Sequence, residues 1–366
     1  MSEPKTDILK QSELPEVDCV IIGVNCEKTL AHCIRSILSG SYPEKHLHLF
    51  YSDGGSTDRS VSIAREFPAV RVLELHPENP TPGLGRNAGW KAGGSPYLQF
   101  LDSDTILAPD WLIAAVQAMK TPEVGAVRGY RKERHPEQSF FNWIGDLEWN
   151  VPPGECDNFG GDILIRRTAL EETGGYDQDL VAGEDPELSW RIGQRGWKII
   201  MLDELMTGHD LAMLKTSQYL KRSFRTGYGF AAVRSRVTRA GSDFWKADLR
   251  RILIKGGGFV FFLIAGLLLL LLALNHLIPV LSGMSAVLCL LAGCAMILSP
   301  RLFRIERFMR DNNLNRVDAK KYAWHCSLVV LPQFFGIIRF FAGEYLDKPL
   351  TNKRSTLKTG LSTTSR

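Results

Sequence analysis

The order of apolar and polar residues divides the chain into two parts. Up to about Trp245, short β-branched runs alternate with stretches in which apolar residues recur at helical spacing. From Gly256 to Ser299 the residues are mainly Leu, Val, Ile, Phe, Ala and Gly. The first pattern is typical of a globular α/β domain, and the second is typical of membrane-spanning helices.

Within the first part, strand patterns are followed by helix patterns at the spacing of a doubly wound, mostly parallel sheet. The predicted strands lie at 17–24, 47–51, 70–75, 97–101 and 198–202. Polar clusters follow several of these strands, and such sheets bind ligands at the carboxyl ends of their strands. We therefore expect a nucleotide site along that edge of the sheet.

Two apolar runs, 256–274 and 277–299, are each close to the roughly 20 residues that cross a bilayer as a helix. The short polar link between them, Asn275 and His276, predicts a helical hairpin whose two ends face the same side. Arginines and lysines flank both ends, which places the flanks in the cytoplasm. A third apolar stretch, 324–346, contains a Pro-Gln pair and precedes a basic tail, so a spanning helix and a re-entrant or interfacial segment both stay open.

These patterns predict seven regions in the 366 residues. They are a polar tail (1–16), the α/β domain (17–245), a basic linker (246–255), the membrane hairpin (256–299), a basic amphipathic segment (300–323), the third membrane or re-entrant segment (324–346) and a basic tail (347–366). The first region has no apolar core of a signal peptide, so we expect the α/β domain to stay in the cytoplasm.

Charge and cysteine content narrow the possible partners. The formal net charge is only +4, and the excess of positive residues lies beside the apolar runs. This distribution indicates membrane lipids and gives no support to nucleic acid as a partner. The seven cysteines form no Cys-x-x-Cys pair and have no histidine at zinc-finger spacing, so we expect reduced thiols.

Asp102 and Asp104 directly follow the strand predicted at 97–101. Two carboxylates at positions i and i+2 can reach one ion from a loop, and such oxygen ligands suit Mg²⁺ or Mn²⁺. An ion held there would bridge phosphate oxygens and neutralise charge on a leaving diphosphate. An Asx turn or a helix cap explains the same pattern without a metal, and the buried strand before it favours the ion site.

Six short motifs occur in a fixed order over about residues 17–230. They are Val24-Asn25-Cys26-Glu27, DGGSTD at 53–58, Gly85-Arg86-Asn87-Ala88-Gly89, Asp102-Ser103-Asp104, Gly174-Gly175-Tyr176-Asp177 and Gly183-Glu184-Asp185. In order and spacing they resemble the family 2 inverting glycosyltransferases. The resemblance implies an α/β fold of the GT-A type, a nucleotide-sugar donor and Mg²⁺ or Mn²⁺. With C-terminal transmembrane helices, it looks like the bacterial members that build exopolysaccharide or envelope glycans.

The resemblance also assigns donor-binding residues. The base and ribose would be contacted by Val24, Asn25, Glu27 and Asp53. The alternative for Asp53 is a role as a turn residue. Family members have a second aspartate at the next position of this loop, where this chain has Gly54. Arg86, expected in a loop, would pair with the donor's pyrophosphate, with a surface salt bridge as the alternative.

The metal site and the catalytic base follow from the later motifs. By analogy, Asp104 ligates the metal, Asp102 holds the metal or the ribose, and His209 either completes the site or is incidental. Inverting transfer needs a base that takes the acceptor hydroxyl proton, and Asp185 is our candidate, with Glu184 in an orienting role. Asp185 also fits the cap of a following helix.

The acceptor side is expected at Gly160, Gly161, Asp162, Arg222 and Arg225. Processive synthases carry a Gln-x-x-Arg-Trp motif near the last two residues, and this chain lacks its tryptophan. We therefore expect transfer of one sugar to a membrane-associated acceptor, a polyprenyl-linked saccharide or other glycan, at the cytoplasmic face of the inner membrane. The alternative is an inactive scaffold that binds a partner enzyme. A dehydrogenase is disfavoured because no Gly-x-Gly-x-x-Gly follows the first strand.

Overall fold

The computed structural model describes residues 14–149, 151–275 and 281–352. Its strands are β1 (Val17–Gly23), β2 (Leu47–Asp53), β3 (Val70–Glu74), β4 (Tyr97–Asp102), β5 (Thr105–Leu107), β6 (Val124–Glu133), β7 (Gly154–Glu155), β8 (Ile163–Arg166) and β9 (Lys198–His209). The predictions for most of the N-terminal tail, for the turn after Asn275 and for the end of the basic tail lie outside the described residues.

Helices pack on the sheet and continue beyond it. They are α1 (Leu30–Leu38), α2 (Ser60–Arg65), α3 (Pro82–Ala92), α4 (Trp111–Ala118), α5 (Phe140–Trp149), α6 (Arg167–Thr173), α7 (Glu184–Gln194), α8 (Thr216–Arg239), α9 (Lys246–Ile252), α10 (Gly258–Leu274), α11 (Leu281–Phe303), α12 (Ile305–Asp311), α13 (Arg316–Leu328) and α14 (Val330–Tyr345).

The strands form one sheet in the order β3-β2-β1-β4-β8-β6-β9-β5, with β7 beside β9. β1, β2, β3 and β4 are parallel, as the sequence predicted, and β8 joins them to β6 by antiparallel pairing. Asp53 lies opposite Gly23, and Asp102 lies opposite Ile22. The loops that follow β1, β2 and β4 therefore meet at one edge of the sheet.

Several elements differ from the sequence-based expectations, and strands β6, β7 and β8 were not among the predicted strands. Helix α3 begins at Pro82, because Thr81 caps it by accepting a hydrogen bond from Leu84 N at 3.2 Å, and the predicted loop before Asn87 is therefore helical. The three-residue strand β5 was not predicted, and β9 continues to His209 because it pairs with β5 and β6.

The two apolar runs of the predicted hairpin are helical in the described residues. Helices α10 and α11 lie side by side in opposite directions, so that Gly266 faces Leu290 and Gly293 faces Phe262. Three helical segments are long and apolar enough to cross a membrane, at Lys246–Leu274, Gly283–Phe303 and Arg316–Tyr345. The first includes the predicted basic linker, which is helical and continues into α10.

Helix α14 packs along α8 of the α/β domain. The two helices cross at Gly227 and Gly336, where a Cβ on either residue would overlap backbone atoms of the other helix. Beside the crossing, the rings of Tyr228 and Phe340 meet edge to face with centroids 5.3 Å apart. The opposite face of α14 is apolar and exposed, with Phe335, Ile338 and Phe341. This helix therefore has one face on the domain and one apolar face free.

We expect Gly336→Ala to lower the thermal midpoint of the detergent-solubilised protein, because the added methyl group overlaps the Phe224 carbonyl oxygen and forces the helices apart. Overpacking of this kind costs about 1–3 kcal/mol. Gly283→Ala is the matched control, because nothing lies within 4 Å of its Cβ position, and alanine is the better helix former. Equal midpoints for the two variants would show that α14 is not held by this crossing.

Candidate active site

The strand ends bring three of the predicted metal ligands together. Asp102 ends β4, Asp104 lies in the turn to β5, and His209 ends β9. Pairing of β5 with β9 sets Thr105 opposite His209, so the imidazole reaches the turn. Ligand atoms of the three residues all lie within 4.8 Å of one another, and His209 Nε2 is 3.3 Å from Asp104 Oδ1.

These residues fit a divalent cation. The His209 ring is buried, and its Nδ1 has no hydrogen-bond partner in the described parts of the chain. Asp104 is partly exposed and faces the larger of two cavities described below. Two carboxylates with one imidazole suit a hard or intermediate cation, which agrees with the expected Mg²⁺ or Mn²⁺.

Arg86 is the centre of a buried network of charges. From α3, its Nη2 lies 3.0 Å from Asp102 Oδ1, and its Nη1 lies 2.9 Å from Glu184 Oε1 and 3.2 Å from Asp185 Oδ1. The ring of Tyr176 packs against the guanidinium at 5.3 Å. Both terminal nitrogens of Arg86 contact carboxylates in this structure, so the expected pairing with a pyrophosphate stays a prediction. Arg86 links Asp102 of the candidate metal group to the candidate base Asp185.

One guanidinium cannot fully compensate three carboxylates, and the environment decides which of them holds a proton. Burial, with the nearby charge of Glu184, raises the pKa of Asp185 to about 8 despite Arg86. Desolvation also acts on Asp102, but the charges of Arg86 and Arg131 hold its pKa below the usual value. Asp185 is therefore the carboxyl group of this network that holds a proton near neutral pH, which makes it a candidate for proton transfer.

The alternative role of Asp185 as a helix cap is wrong. Helix α7 begins at Glu184, after Gly183 in the left-handed conformation with φ of 92°. Asp185 thus lies within the first turn, and no side chain makes the capping hydrogen bond. Its position at a helix N-terminus nevertheless directs the carboxyl group toward Arg86.

Asp162 is hydrogen-bonded to the residues around Asp102. Its buried carboxylate accepts hydrogen bonds from Arg131 at 2.6 and 2.9 Å, from Thr207 Oγ1 at 2.8 Å and from the backbone N of Asp102 at 3.1 Å. These hydrogen bonds give Asp162 a structural role, and its expected contact with the acceptor stays a prediction. Arg131 was missed by the sequence reasoning, since it belongs to no motif, although it also lies 3.4 Å from Asp102.

The two glycines of this segment have different roles. A Cβ on Gly161 would lie 2.6 Å from both Asp102 Oδ2 and Arg86 Nη2, so this glycine permits the ion pair. Gly160 has nothing within 4 Å of its Cβ position and lines the smaller cavity.

The residues expected on the donor side also differ in whether they line a cavity. Val24 and Asn25 line the larger cavity, and Asn25 Oδ1 accepts a hydrogen bond from Thr57 N at 2.8 Å, which ties the first two loops together. Asp53 is buried and accepts hydrogen bonds from Gly55 N, Ser56 N and Tyr51 Oη, as a turn residue does, and its contact with the base stays a prediction. The carboxylate of Glu27 pairs with Arg59 outside the cavity lining, and its contact with the base also stays a prediction.

Two cavities adjoin this network. The larger, about 1130 Å³, runs from Asn25 and Gly54 to the Asp102, Asp104 and His209 group. The smaller, about 790 Å³, is lined by Asp185, Gly160 and the rings of Trp149, Phe230 and Trp245. Three cations of α8 line both cavities, namely Lys221, Arg222 and Arg225. The structure thus places the expected arginines at the junction of the two cavities.

Comparison with known proteins identifies the family. Residues 18–174 match glycosyl transferase family 2, and residues 97–299, more than half of the chain, match glycosyl transferase family group 2. Glycosyltransferase AglE of Haloferax volcanii is 25% identical over 226 residues, which cover 60% of this chain and 74% of that protein. Succinoglycan biosynthesis protein ExoA of Rhizobium meliloti is 26% identical over 214 residues, 54% of this chain and 64% of that protein.

Solved structures agree on the fold. The mannosyltransferase PcManGT from Pyrobaculum calidifontis in complex with GDP-Man and Mn²⁺ matches 91% of this chain and 90% of its own, with a TM-score of 0.60 and 15% identity. S. aureus TarS 1-349 in complex with UDP-GlcNAc matches 85% of this chain and 90% of its own, with a TM-score of 0.50 and 14% identity. These similarities show the GT-A fold that the motifs implied. With its fold and more than half of its length matched, the chain belongs to glycosyl transferase family group 2.

Proposed function

We propose that this protein transfers one sugar from a nucleotide-sugar donor to a lipid-linked glycan acceptor, with inversion at the anomeric carbon, on the cytoplasmic face of the inner membrane. The observation that carries this proposal is the Arg86 network. It joins three candidate metal ligands to a buried carboxyl group with a raised pKa, between a donor-sized cavity and a second cavity.

The larger cavity is the proposed donor site. Its volume of about 1130 Å³ is slightly above the usual range of small-molecule pockets, about 300–1,000 Å³, and is sufficient for a nucleotide sugar. Asp102, Asp104 and His209 would hold Mg²⁺ or Mn²⁺, which when bound neutralises charge on the diphosphate. Val24 and Asn25, at the other end, are proposed to contact the nucleoside.

Asp185 is the proposed general base. As the acceptor oxygen forms its bond to the anomeric carbon, the bond from that carbon to the diphosphate oxygen breaks, and the hydroxyl proton moves to the Asp185 carboxylate. Arg86 and Glu184 hold this carboxylate in place. A carboxylate is sufficient for the proton transfer, because attack on an oxocarbenium-like centre and loss of the proton are concerted.

The smaller cavity is the proposed acceptor site. Its aromatic rings offer flat apolar surfaces to a sugar, and Gly160 leaves open space beside Asp185. Lys221, Arg222 and Arg225 lie at its junction with the donor cavity. Guanidinium and ammonium groups bind phosphate oxygens, so these residues suit the diphosphate of a polyprenyl-linked acceptor.

The apolar helices supply the proposed membrane attachment. Helices α10 and α11 are proposed to cross the bilayer, with their basic flanks in the cytoplasm. Helix α14 contacts the α/β domain along one face and exposes Phe335, Ile338 and Phe341 on the other. This two-sided arrangement favours an interfacial helix over a third crossing, because a helix covered by the cytoplasmic domain along its length cannot leave that side of the membrane.

The test is release of nucleoside diphosphate by the full-length protein in lipid vesicles, with a panel of UDP- and GDP-sugars, Mg²⁺ or Mn²⁺, and a polyprenyl diphosphate saccharide. We expect release that depends on acceptor with at least one donor, and a product of inverted anomeric configuration by NMR. Absence of release with every donor would favour the inactive scaffold, whereas retained configuration would exclude Asp185 as the base of a single displacement.

We expect Asp104→Ala to abolish the dependence of nucleotide binding on divalent metal, because the remaining ligands are too few to hold the cation against water. Even changes one shell away from a metal cost about 10- to 100-fold in affinity. Calorimetry of UDP and GDP binding with and without Mn²⁺ measures the effect. Asp203→Ala, at an exposed position of β9, is the control, and an unchanged metal dependence of the Asp104 variant would contradict the assignment.

A further inference from the structure

A short segment after α14 returns to the donor cavity. The chain turns at Asp347, whose φ is 52°, and Lys348 N donates a hydrogen bond to Gly343 O at 2.8 Å. Residues 347–352, which we name the strap, then run away from the end of α14 and over the α/β domain. The strap therefore connects the proposed interfacial helix to the catalytic domain.

Hydrogen bonds fix the strap at two places that border the donor cavity. Leu350 N donates to Tyr228 Oη on α8 at 3.1 Å. Asn352 N donates to Asn79 Oδ1 at 2.7 Å, and its Nδ2 donates to Pro80 O at 2.9 Å, just before α3 begins. The strap thus bridges from α8 to the segment before α3, and Pro80 of that segment lines the cavity.

The strap lines the nucleoside end of the cavity. Leu350, Thr351 and Asn352 belong to the same cavity wall as Gly54 and Asn25. A Cβ on Gly54 would lie 3.6 Å from Pro80 Cβ, and Pro80 in turn holds Asn352. Gly54 follows β2, two strands away from Asp102 on β4, so at about 4.8 Å per strand it is roughly 10 Å from the metal group.

The wall at Gly54 has no side chain of its own with which to recognise a ligand. Even a methyl group there would lie 2.5 Å from Val24 Cγ2, so the space is already filled by apolar atoms. Beyond Pro80, the strap brings polar side chains to this part of the cavity. Asn352 offers both a carbonyl oxygen and amide hydrogens, and Thr351 is exposed and offers a hydroxyl group.

We propose that Thr351 and Asn352 are specificity-determining residues that contact the base or ribose of the donor nucleotide, so that the C-terminal strap completes the nucleoside site. The inference rests on the proposed function, since it needs a nucleotide in the larger cavity. It assigns to the end of the chain a recognition role that Gly54 cannot perform. Recognition by an amide side chain discriminates between bases, because each base presents a different pattern of donors and acceptors.

The test measures binding of UDP and of GDP, each with Mn²⁺, to the full-length protein in detergent. The double variant Thr351→Ala/Asn352→Ala is expected to bind the preferred nucleotide about tenfold more weakly and to change the ratio of the two dissociation constants, because one or two hydrogen bonds are lost. The control is Lys348→Ala, which changes an exposed side chain of the same strap that does not line the cavity. It should bind both nucleotides as the unchanged protein does.

The outcomes separate this inference from the proposed function. If the unchanged protein binds neither nucleotide, the proposed donor site itself is wrong. If it binds and the double variant has the same two dissociation constants, only the strap assignment is overturned. If the double variant has a lower thermal midpoint, the isosteric changes Thr351→Val and Asn352→Asp provide the test. An altered nucleotide preference in these variants supports the contact, and an unaltered preference overturns it.

Discussion

Replacement of Asp185 by asparagine is expected to lower the rate of sugar transfer by about 10²- to 10⁴-fold, the range associated with loss of a general base. Asparagine keeps the size of the side chain and can still contact Arg86, but it cannot accept the acceptor's proton. Because Asp185 lines the acceptor cavity and not the donor cavity, the dissociation constant of the nucleotide should hardly change. Transfer and nucleotide binding are to be measured on one preparation.

The pH dependence gives this prediction a second readout. In the donor-free protein the pKa of Asp185 is raised from 3.8 to about 8, so the folded protein holds a proton that the unfolded chain releases from about pH 4. The contribution of this group to stability is present below pH 4 and is lost as pH rises through 8. We therefore expect Asp185→Asn to match the unchanged protein near pH 4 and to be the more stable of the two at pH 9.

The rate of sugar transfer should also depend on the protonation state of Asp185. Transfer by the unchanged protein is expected to increase with pH up to about 8, as Asp185 becomes a carboxylate, and the residual rate of the asparagine variant should lack this limb. Asp179→Asn, an exposed change before α7, is the control and should preserve both rate and pH profile. Near-normal turnover of the Asp185 variant would move the base to another residue.

Replacement of Arg86 by methionine is expected to destabilise the α/β domain by about 3–5 kcal/mol, because it leaves Asp102, Glu184 and Asp185 together without their shared cation. For a domain of this size, that loss corresponds to a decrease of roughly 6–20 °C in the thermal midpoint. Arg86→Lys should be intermediate, since it keeps the charge but cannot bond three carboxylates from one planar group.

The matched control is Arg59→Met, which breaks the exposed pair with Glu27 and should cost less than about 1 kcal/mol. The effect at Arg86 should also become smaller at acidic pH, where the three carboxyl groups can take up protons. A midpoint that falls no more than in the Arg59 variant would mean that the Arg86 network does not hold these elements together.

Much of the fold could be predicted from local pattern. Strands such as β1 and β4 and the apolar helices α10 and α11 have periodicities that few other structures satisfy. The start of α3 was missed because its Pro and Gly residues are typical of loops, whereas in the folded chain Thr81 caps the helix. Strand β5 was missed because three residues carry too little pattern, and its pairing with β9 is a contact between distant parts of the chain.

The sequence by itself determined the parallel strands β1 to β4, the apolar runs and the family, and it singled out Asp102, Asp104 and His209 as candidate metal ligands. These follow from spacing along the chain or from motifs at strand ends. Only the tertiary structure showed the ion pairs of Arg86 and the raised pKa of Asp185, because an ion pair and a pKa depend on burial and on neighbours from α3, β4 and α7 together. The same holds for the strap, where Asn352 meets Pro80 across 272 residues of chain. No local pattern predicts such a contact, since its free energy comes from packing of the complete fold.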